Sequence, residues 1–254
     1  MESASPERVI ERIEAAFRAH AGGAIAFDGD GTLWSGDVGE DFFGAVLSRG
    51  SFSGAATRAL GAMATELGLA PDGDGVALAE RIYGAYVRHE APEDRVCEMM
   101  AWAVAGETTR SLAAFCDRLV DAVDLPSRLH AEAIQVVRWG QGRGIAVHLV
   151  SASPRCVVEA AARVLGIESV IAATPEMEGE TVLASVVRPI PYGEGKVHGL
   201  RARMGAAPLL AAFGDNAFDV AMLKASHVPV AVRPKPRLTE RAHEVPGLIT
   251  IERR

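Results

Sequence analysis

Cysteine, lysine and long apolar runs are the scarce features of this 254-residue sequence. The cysteines are Cys97, Cys116 and Cys156, and none stands in Cys-x-x-Cys spacing. That excludes a disulfide scaffold and a cysteine zinc site, and it predicts a reducing, cytoplasmic compartment. The lysines are Lys196, Lys224 and Lys235, against a background of arginine, so each merits inspection. No stretch approaches the roughly 20 apolar residues that a membrane helix needs. The opening residues lack a basic end followed by an apolar run, so no secretory leader is expected. Repeats and low-complexity tracts are also absent.

What is present reads as a folded globular chain. Apolar residues make up 49% and charged residues 23%, which excludes intrinsic disorder. The length fits one large domain or two modest ones, able to bury roughly 70–75% of the unfolded surface. The formal charge of −7 disfavours nucleic acid or an anionic membrane as a general partner. A small anionic ligand stays compatible where a site supplies local positive charge.

Helical spacing of Val9, Ile10, Ile13 and Phe17 predicts a helix over 6–20, and Ala24–Phe27 predicts a short buried strand. From about Asp37 to Asp124 strand signals vanish. Helices are expected at 39–48, 54–67, 75–89, 93–104 and 108–122, an all-helical insert. After Pro126 the alternation returns. Helices are expected at 127–141, 155–165, 195–204, 217–224 and 237–243. Strands are expected at 145–150, 169–173, 209–213, 228–232 and 248–251, with a hairpin within 177–190. Apolar strands alternating with helices predict an α/β, doubly wound, Rossmann-like parallel sheet, interrupted after its first strand by the helical lobe. The domains are therefore 1–34 with 126–254 as the core, and 35–125 as the insert.

Ligands of such sheets bind beyond the carboxyl ends of the strands. Four clusters fall there. Asp28 and Asp30, in Asp28-Gly29-Asp30-Gly31-Thr32, offer two close carboxylates able to divide nucleophile from acid; the alternative is an ordinary turn. A calcium loop is excluded, because its sixth and twelfth positions would be Leu33 and Gly39. Ser151, past the second strand, suits a phosphate or caps a helix, and Ser153 before Pro154 reads as the better helix cap. Lys196 is either a counter-charge for an anion or a solvated lysine. Asp215 and Asp219 share a helix face and suit a hard cation such as Mg²⁺, or else one caps the helix and the other is solvated. A second Asp-Gly-Asp-Gly, at 72–75, follows no strand and reads as a helix start.

Taken together, these motifs resemble the haloacid dehalogenase-like hydrolase superfamily. Phe27-Asp28-Gly29-Asp30-Gly31-Thr32-Leu33 resembles its first motif and Val147-His148-Leu149-Val150-Ser151 its second. Gly195-Lys196-Val197 resembles the third, and Gly214-Asp215-Asn216-Ala217-Phe218-Asp219 the fourth. Ala231–Leu238 resembles the segment that follows in phosphoserine phosphatase-like members, whose helical lobe is a cap. The resemblance implies that Asp28 attacks phosphorus and that Asp30 is acid, then base. It implies that Asp28, Asp30 (through its carbonyl) and Asp215 hold Mg²⁺. Ser151, Ala152, Thr32 and Lys196 would bind the phosphoryl group, with Asp219 and Asn216 in support. The second aspartate favours a phosphatase or phosphomutase over a dehalogenase or ion pump.

Asp37 stands where phosphoserine phosphatases carry a Glu that meets the substrate amine; it reads equally as a helix cap. Phe218 replaces a common Asn, and the insert is longer than in those enzymes. The long insert and Trp34 are similar to the phosphocholine and phosphoethanolamine phosphatase branch, in which Trp34, Tyr83, Tyr86 and Trp102 would offer aromatic faces to an ammonium; the plainer reading makes most of them lobe core. The expected activity is Mg²⁺-dependent hydrolysis of a small phosphorylated metabolite, with a bell-shaped pH profile. A phosphomutase and a non-catalytic phosphate-ester-binding protein are the rival readings.

Overall fold

The computed structural model describes residues 1–20 and 22–253; Ala21 and Arg254, both in the expected core segments, lie outside it. The chain opens with strand β1 (Glu2–Ala4), helix α1 (Pro6–His20) and strand β2 (Ala24–Phe27). Five helices follow: α2 (Val38–Ser48), α3 (Gly54–Glu66), α4 (Gly75–Val87), α5 (Glu93–Trp102) and α6 (Thr109–Ala122). Short α7 (Leu125–Arg128) and α8 (Ala131–Gly142) lead back to β3 (Ala146–Pro154), α9 (Arg155–Val164) and β4 (Ser169–Ala173). Next come β5 (Pro175–Glu178), β6 (Thr181–Val186), α10 (Glu194–Met204), β7 (Leu209–Gly214), α11 (Val220–Lys224), β8 (Val228–Ala231), α12 (Pro236–Glu240) and β9 (Ile249–Ile251).

Seven strands form one parallel sheet in the order β1-β9-β8-β7-β2-β3-β4. Its central strands β2, β7 and β8 are buried along their whole length. A parallel sheet covered on both faces demands such continuous apolar runs, and the sequence supplies them. Phe27 and Phe213 stack across β2 and β7 with centroids 4.2 Å apart. Each aromatic side chain buried in this way contributes about 1.5–3 kcal/mol.

The insert is capped by residues the sequence marks. Ser53 accepts from Ala56 N at 3.1 Å, and Asp74 of the second Asp-Gly-Asp-Gly accepts from Ala77 N at 2.9 Å. Its core is shared, however. Ala173, Val186 and Ile190 join Phe43, Leu60, Ile82 and Met99 in one apolar cluster. The β5–β6 hairpin thus packs against the helices of the insert, with Gly106 N donating to Val182 O and Val182 N to Glu107 O, both at 2.9 Å.

Three local expectations are corrected, and one strand is added. The polar Glu2-Ser3-Ala4 is a strand, held by pairing with β9. The helix expected over 127–141 breaks at Leu129-His130, where His130 N donates to Leu33 O and its Nδ1 lies 3.0 Å from Thr32 O. The strand expected to end at residue 150 runs on to Pro154, which pairs with Ala173. The helices expected at 217–224 and 237–243 each divide into a short α-helix and a 3₁₀ turn. Among the described residues, no helix is long and apolar enough to cross a membrane.

Candidate active site

Three parallel strands deliver the site. Asp28 follows β2, Ser151 and Ser153 lie near the carboxyl end of β3, and Asp215 follows β7. Asp28 is 2% exposed. Its Oδ1 accepts from Lys196 Nζ at 2.6 Å and its Oδ2 from Thr32 Oγ1 at 3.1 Å. Lys196, at the start of α10, is fully buried and also donates to Asp219 Oδ1 at 2.6 Å. The other oxygen of Asp219 accepts from the backbone N–H groups of Asp215 and Asn216, each at 3.0 Å. The bond from Asn216 N is one half of a capping box at the start of the 3₁₀ turn Ala217–Asp219.

Asp215 is buried against Gly31. A Cβ on Gly31 would lie 2.1 Å from Asp215 Oδ2, and its φ of +82° is in the left-handed region, so only glycine fits. Asp215 Oδ2 meets Lys235 Nζ at 2.8 Å, while Oδ1 is buried without a hydrogen-bond partner among the described residues.

Burial raises the Asp28 carboxyl well above its ordinary value; Lys196 opposes the shift, and Asp219 and Asp215 reinforce it. Burial also pushes Asp215 up to about 6, with Asp219 adding to the shift and Lys235 opposing it. For Lys196, burial pulls the ammonium down, but Asp219 and Asp28 outweigh it and hold the charge. Excess buried negative charge of this kind favours a cation.

The donor set fits Mg²⁺. Carboxylate oxygens of Asp28, Asp215 and Asp219 lie within 4.8 Å of one another, and hard oxygen donors suit this ion. Both oxygens of Asp219 are already engaged, whereas Asp215 keeps a buried free one. Asp215 therefore offers an ion an unengaged oxygen, Asp28 would share its oxygens with Lys196 and Thr32, and Asp219 anchors Lys196.

Asp30 sits beside them. Its Oδ1 accepts from Trp34 Nε1 at 2.8 Å and Val38 N at 2.7 Å. Its Oδ2 accepts from Ser153 Oγ at 2.8 Å and Ser151 Oγ at 3.3 Å. Asp28, Asp30, Ser151, Ala152, Asn216 and Asp37 all line one cavity of about 380 Å³, the size of a small-molecule site. Asp37 both caps α2, accepting from Glu40 N at 2.9 Å, and faces this cavity. Burial, then Asp30, raises its carboxyl well above the ordinary value.

Three expectations change here. Trp34 is fully buried, lies off the cavity wall and offers no face to a ligand; its indole holds Asp30. Thr32 is likewise buried and bonded to Asp28, so its hydroxyl braces that carboxylate. Ser153 caps no helix: Pro154 holds the N-cap position of α9, and the Ser153 hydroxyl is spent on Asp30. Of the remaining aromatics, Tyr86 reaches the cavity, whereas Tyr83 packs on Phe43 and Trp102 is buried in the lobe.

The cavity also holds residues to which the sequence assigned no role in the site: Lys235, Glu40, Glu93, Cys97 and Tyr192. Lys235 had a signal, as one of three lysines. Glu93 and Tyr192 had none: their side chains approach to 3.5 Å from positions 99 residues apart.

A parallel sheet with acidic loops at the ends of β2 and β7 and a buried lysine between them matches one hydrolase class. The family model for haloacid dehalogenase-like hydrolases matches residues 25–224, and the chain belongs to that family. Among its relatives is a phosphoserine phosphatase of Streptomyces coelicolor, 31% identical over 196 residues, covering 71% of this chain and 48% of the relative. The chain thus spans about half the length of the curated relative it matches. A Bordetella pertussis protein of unknown function is 26% identical with a TM-score of 0.66, covering 90% of this chain and 97% of its own. A substrate-bound phosphoserine phosphatase complex shares the fold at 16% identity and a TM-score of 0.54, covering 92% of this chain and 94% of its own.

Proposed function

We propose that this chain is a Mg²⁺-dependent phosphatase that hydrolyses a small phosphomonoester through an aspartyl-phosphate on Asp28. One observation carries the reading. Asp28 is a buried carboxylate held between Lys196 and Thr32, and it faces the same cavity as Asp30 and Ser151. Phosphoryl transfer needs mainly such positioning and charge neutralisation. Mg²⁺, held by Asp28, Asp215 and the Asp30 carbonyl, would neutralise the phosphoryl oxygens and keep the buried carboxylates ionised.

An Asp28 oxygen forms the bond to phosphorus as the ester P–O bond breaks, and the leaving oxygen takes a proton from Asp30. A water then gives its proton back to Asp30 and attacks phosphorus, releasing Asp28 and inorganic phosphate. Lys196 fixes the attacking carboxylate and stays charged through the cycle. Ser151 and the Ala152 backbone receive the phosphoryl oxygens, with Asn216 in support.

The lobe acts as the cap of this core, with 1–34 and 126–254 below and 35–125 above. It supplies Asp37, Glu40, Tyr86 and Glu93 to the cavity. Carboxylates beside aromatic rings favour an amine-bearing leaving group, which supports a phosphoserine-, phosphoethanolamine- or phosphocholine-like substrate. The three cysteines are all free thiols, in keeping with action in the reducing cytoplasm.

The test is phosphate release from a panel of small phosphomonoesters with Mg²⁺, using Asp28→Asn as the blank. Selective turnover of one class, lost in the variant with its circular dichroism unchanged, supports the reading. Appreciable turnover by Asp28→Asn removes the nucleophile.

A further inference from the structure

We infer that the proton moved by Asp30 rides on Oδ2, and that Ser153 is the positioning residue that serves both of its protonation states. The inference rests on the phosphatase reading for its chemistry, but its geometry stands apart from it.

The two oxygens of Asp30 have different partners. Oδ1 accepts from an indole N–H and a backbone N–H, Trp34 at 2.8 Å and Val38 at 2.7 Å. Both groups are donors only and cannot face a proton on Oδ1. Trp34 is fully buried and Val38 opens helix α2, so neither turns away cheaply. Oδ2 meets two hydroxyls, Ser153 at 2.8 Å and Ser151 at 3.3 Å. A hydroxyl donates to a carboxylate and, after rotation, accepts from a carboxylic acid. Only Oδ2 therefore has surroundings that fit both forms.

The two serines are not equivalent. Ser151 Oγ also accepts from Ser153 N at 3.0 Å, and its hydroxyl is the group placed to meet a phosphoryl oxygen. When ester occupies the cavity, Ser153 is the hydroxyl left for Oδ2. The site keeps Ser153 in place from the lobe side: a Cβ on Gly39 of α2 would lie 2.6 Å from Ser153 Oγ. In the first step, the O–H on Oδ2 turns from Ser153 to the leaving oxygen and its bond breaks as that oxygen gains the proton, while the Ser153 hydroxyl turns from acceptor to donor. In the second, a proton from water forms that O–H bond again as the water oxygen attacks phosphorus, and the hydroxyl turns back.

The experiment compares an alkyl phosphate, whose leaving oxygen needs the proton, with p-nitrophenyl phosphate, whose phenolate departs without one. Ser153→Ala should lower kcat/KM on the alkyl ester about 10–100-fold, and at least about tenfold more than on the aryl ester. Ser153→Thr, which keeps the hydroxyl, should restore the ratio, and Gly39→Ala, which displaces it, should copy Ser153→Ala. Equal losses on both esters, or a change in KM alone, would overturn the assignment.

A second readout needs no turnover. The Trp34 indole N–H resonance, assigned by its loss in Trp34→Phe among three tryptophans, should move in Asp30→Ala, where its acceptor is gone. It should also move in Ser153→Ala as Asp30 swings, and return in Ser153→Thr. An unmoved resonance in Ser153→Ala removes the positioning role. If the wild-type protein hydrolyses no member of the phosphomonoester panel, the phosphatase reading falls, and the resonance still decides whether Ser153 holds Asp30.

Discussion

Lys235 Nζ lies 2.8 Å from Oδ2 of Asp215, on the side away from the buried oxygen that has no partner. The lysine neutralises one edge of the carboxylate and leaves the other for a cation. Without the cation, Asp215 is a liability, since burial pushes it up to about 6. A carboxyl raised in the folded state binds more protons there than in the unfolded chain between about pH 4 and pH 6. Its ionised form therefore costs stability as the pH rises through about 6. In metal-free protein, Asp215→Asn should raise Tm above that of the wild type at pH 7.5, and the advantage should vanish near pH 4. Mg²⁺ should raise the wild-type Tm and leave the variant unmoved. Thermal denaturation with and without chelator checks this; a variant less stable than the wild type at pH 7.5 would contradict it.

Lys196 is the reverse case. It stands between Asp28 and Asp219 at 2.6 Å from each, with no exposure. Removing one member of a buried ion cluster leaves the others unpaired, at about 3–5 kcal/mol. Lys196→Met should lose that much stability in urea denaturation and abolish turnover. A loss under about 1 kcal/mol would mean that solvent reaches the carboxylates.

Gly31→Ala tests the approach of the first loop to Asp215. The added methyl group would meet Asp215 Oδ2 at 2.1 Å in a backbone with φ of +82°. Asp215 must move, and Mg²⁺ affinity, read by calorimetry, should fall about 10–100-fold, as when a support of a metal ligand is lost. An unchanged affinity would take Asp215 out of the ion's site.

His130 and His148 contribute to the loss of stability in acid. Burial holds both imidazoles below their ordinary value. Below about pH 6.5 the unfolded chain then binds more protons than the folded one, so stability is lost as the pH falls through that value. His148→Asn should make the decline of Tm between pH 7 and pH 5 shallower than in the wild type.

The strand-end residues were legible because β2 and β7 are unbroken apolar runs that stop at a carboxylate. Asp28, Asp215, Asp219 and Lys196 follow from that pattern and its motifs. Ser153 was not legible. The apolar run of β3 ends at Val150, and the Pro154–Ala173 pairing that prolongs the strand is non-local. Trp34 was misread because aromatic type says nothing of direction; the reversal closed by Leu33 N on Gly29 O at 2.8 Å turns its indole inward. Strand β1 escaped notice because its polar residues pair at a sheet edge, where alternation carries no signal.

The hairpin of β5 and β6 makes the lobe a two-stitch attachment. The chain enters it once through α2–α6 and again after β4, and Val186 and Ile190 complete an apolar cluster with residues about a hundred positions earlier. An excision of 35–125 alone would strip that hairpin of its partners and leave it sticky. Exchanging the lobe on this core thus means exchanging both segments as a matched pair.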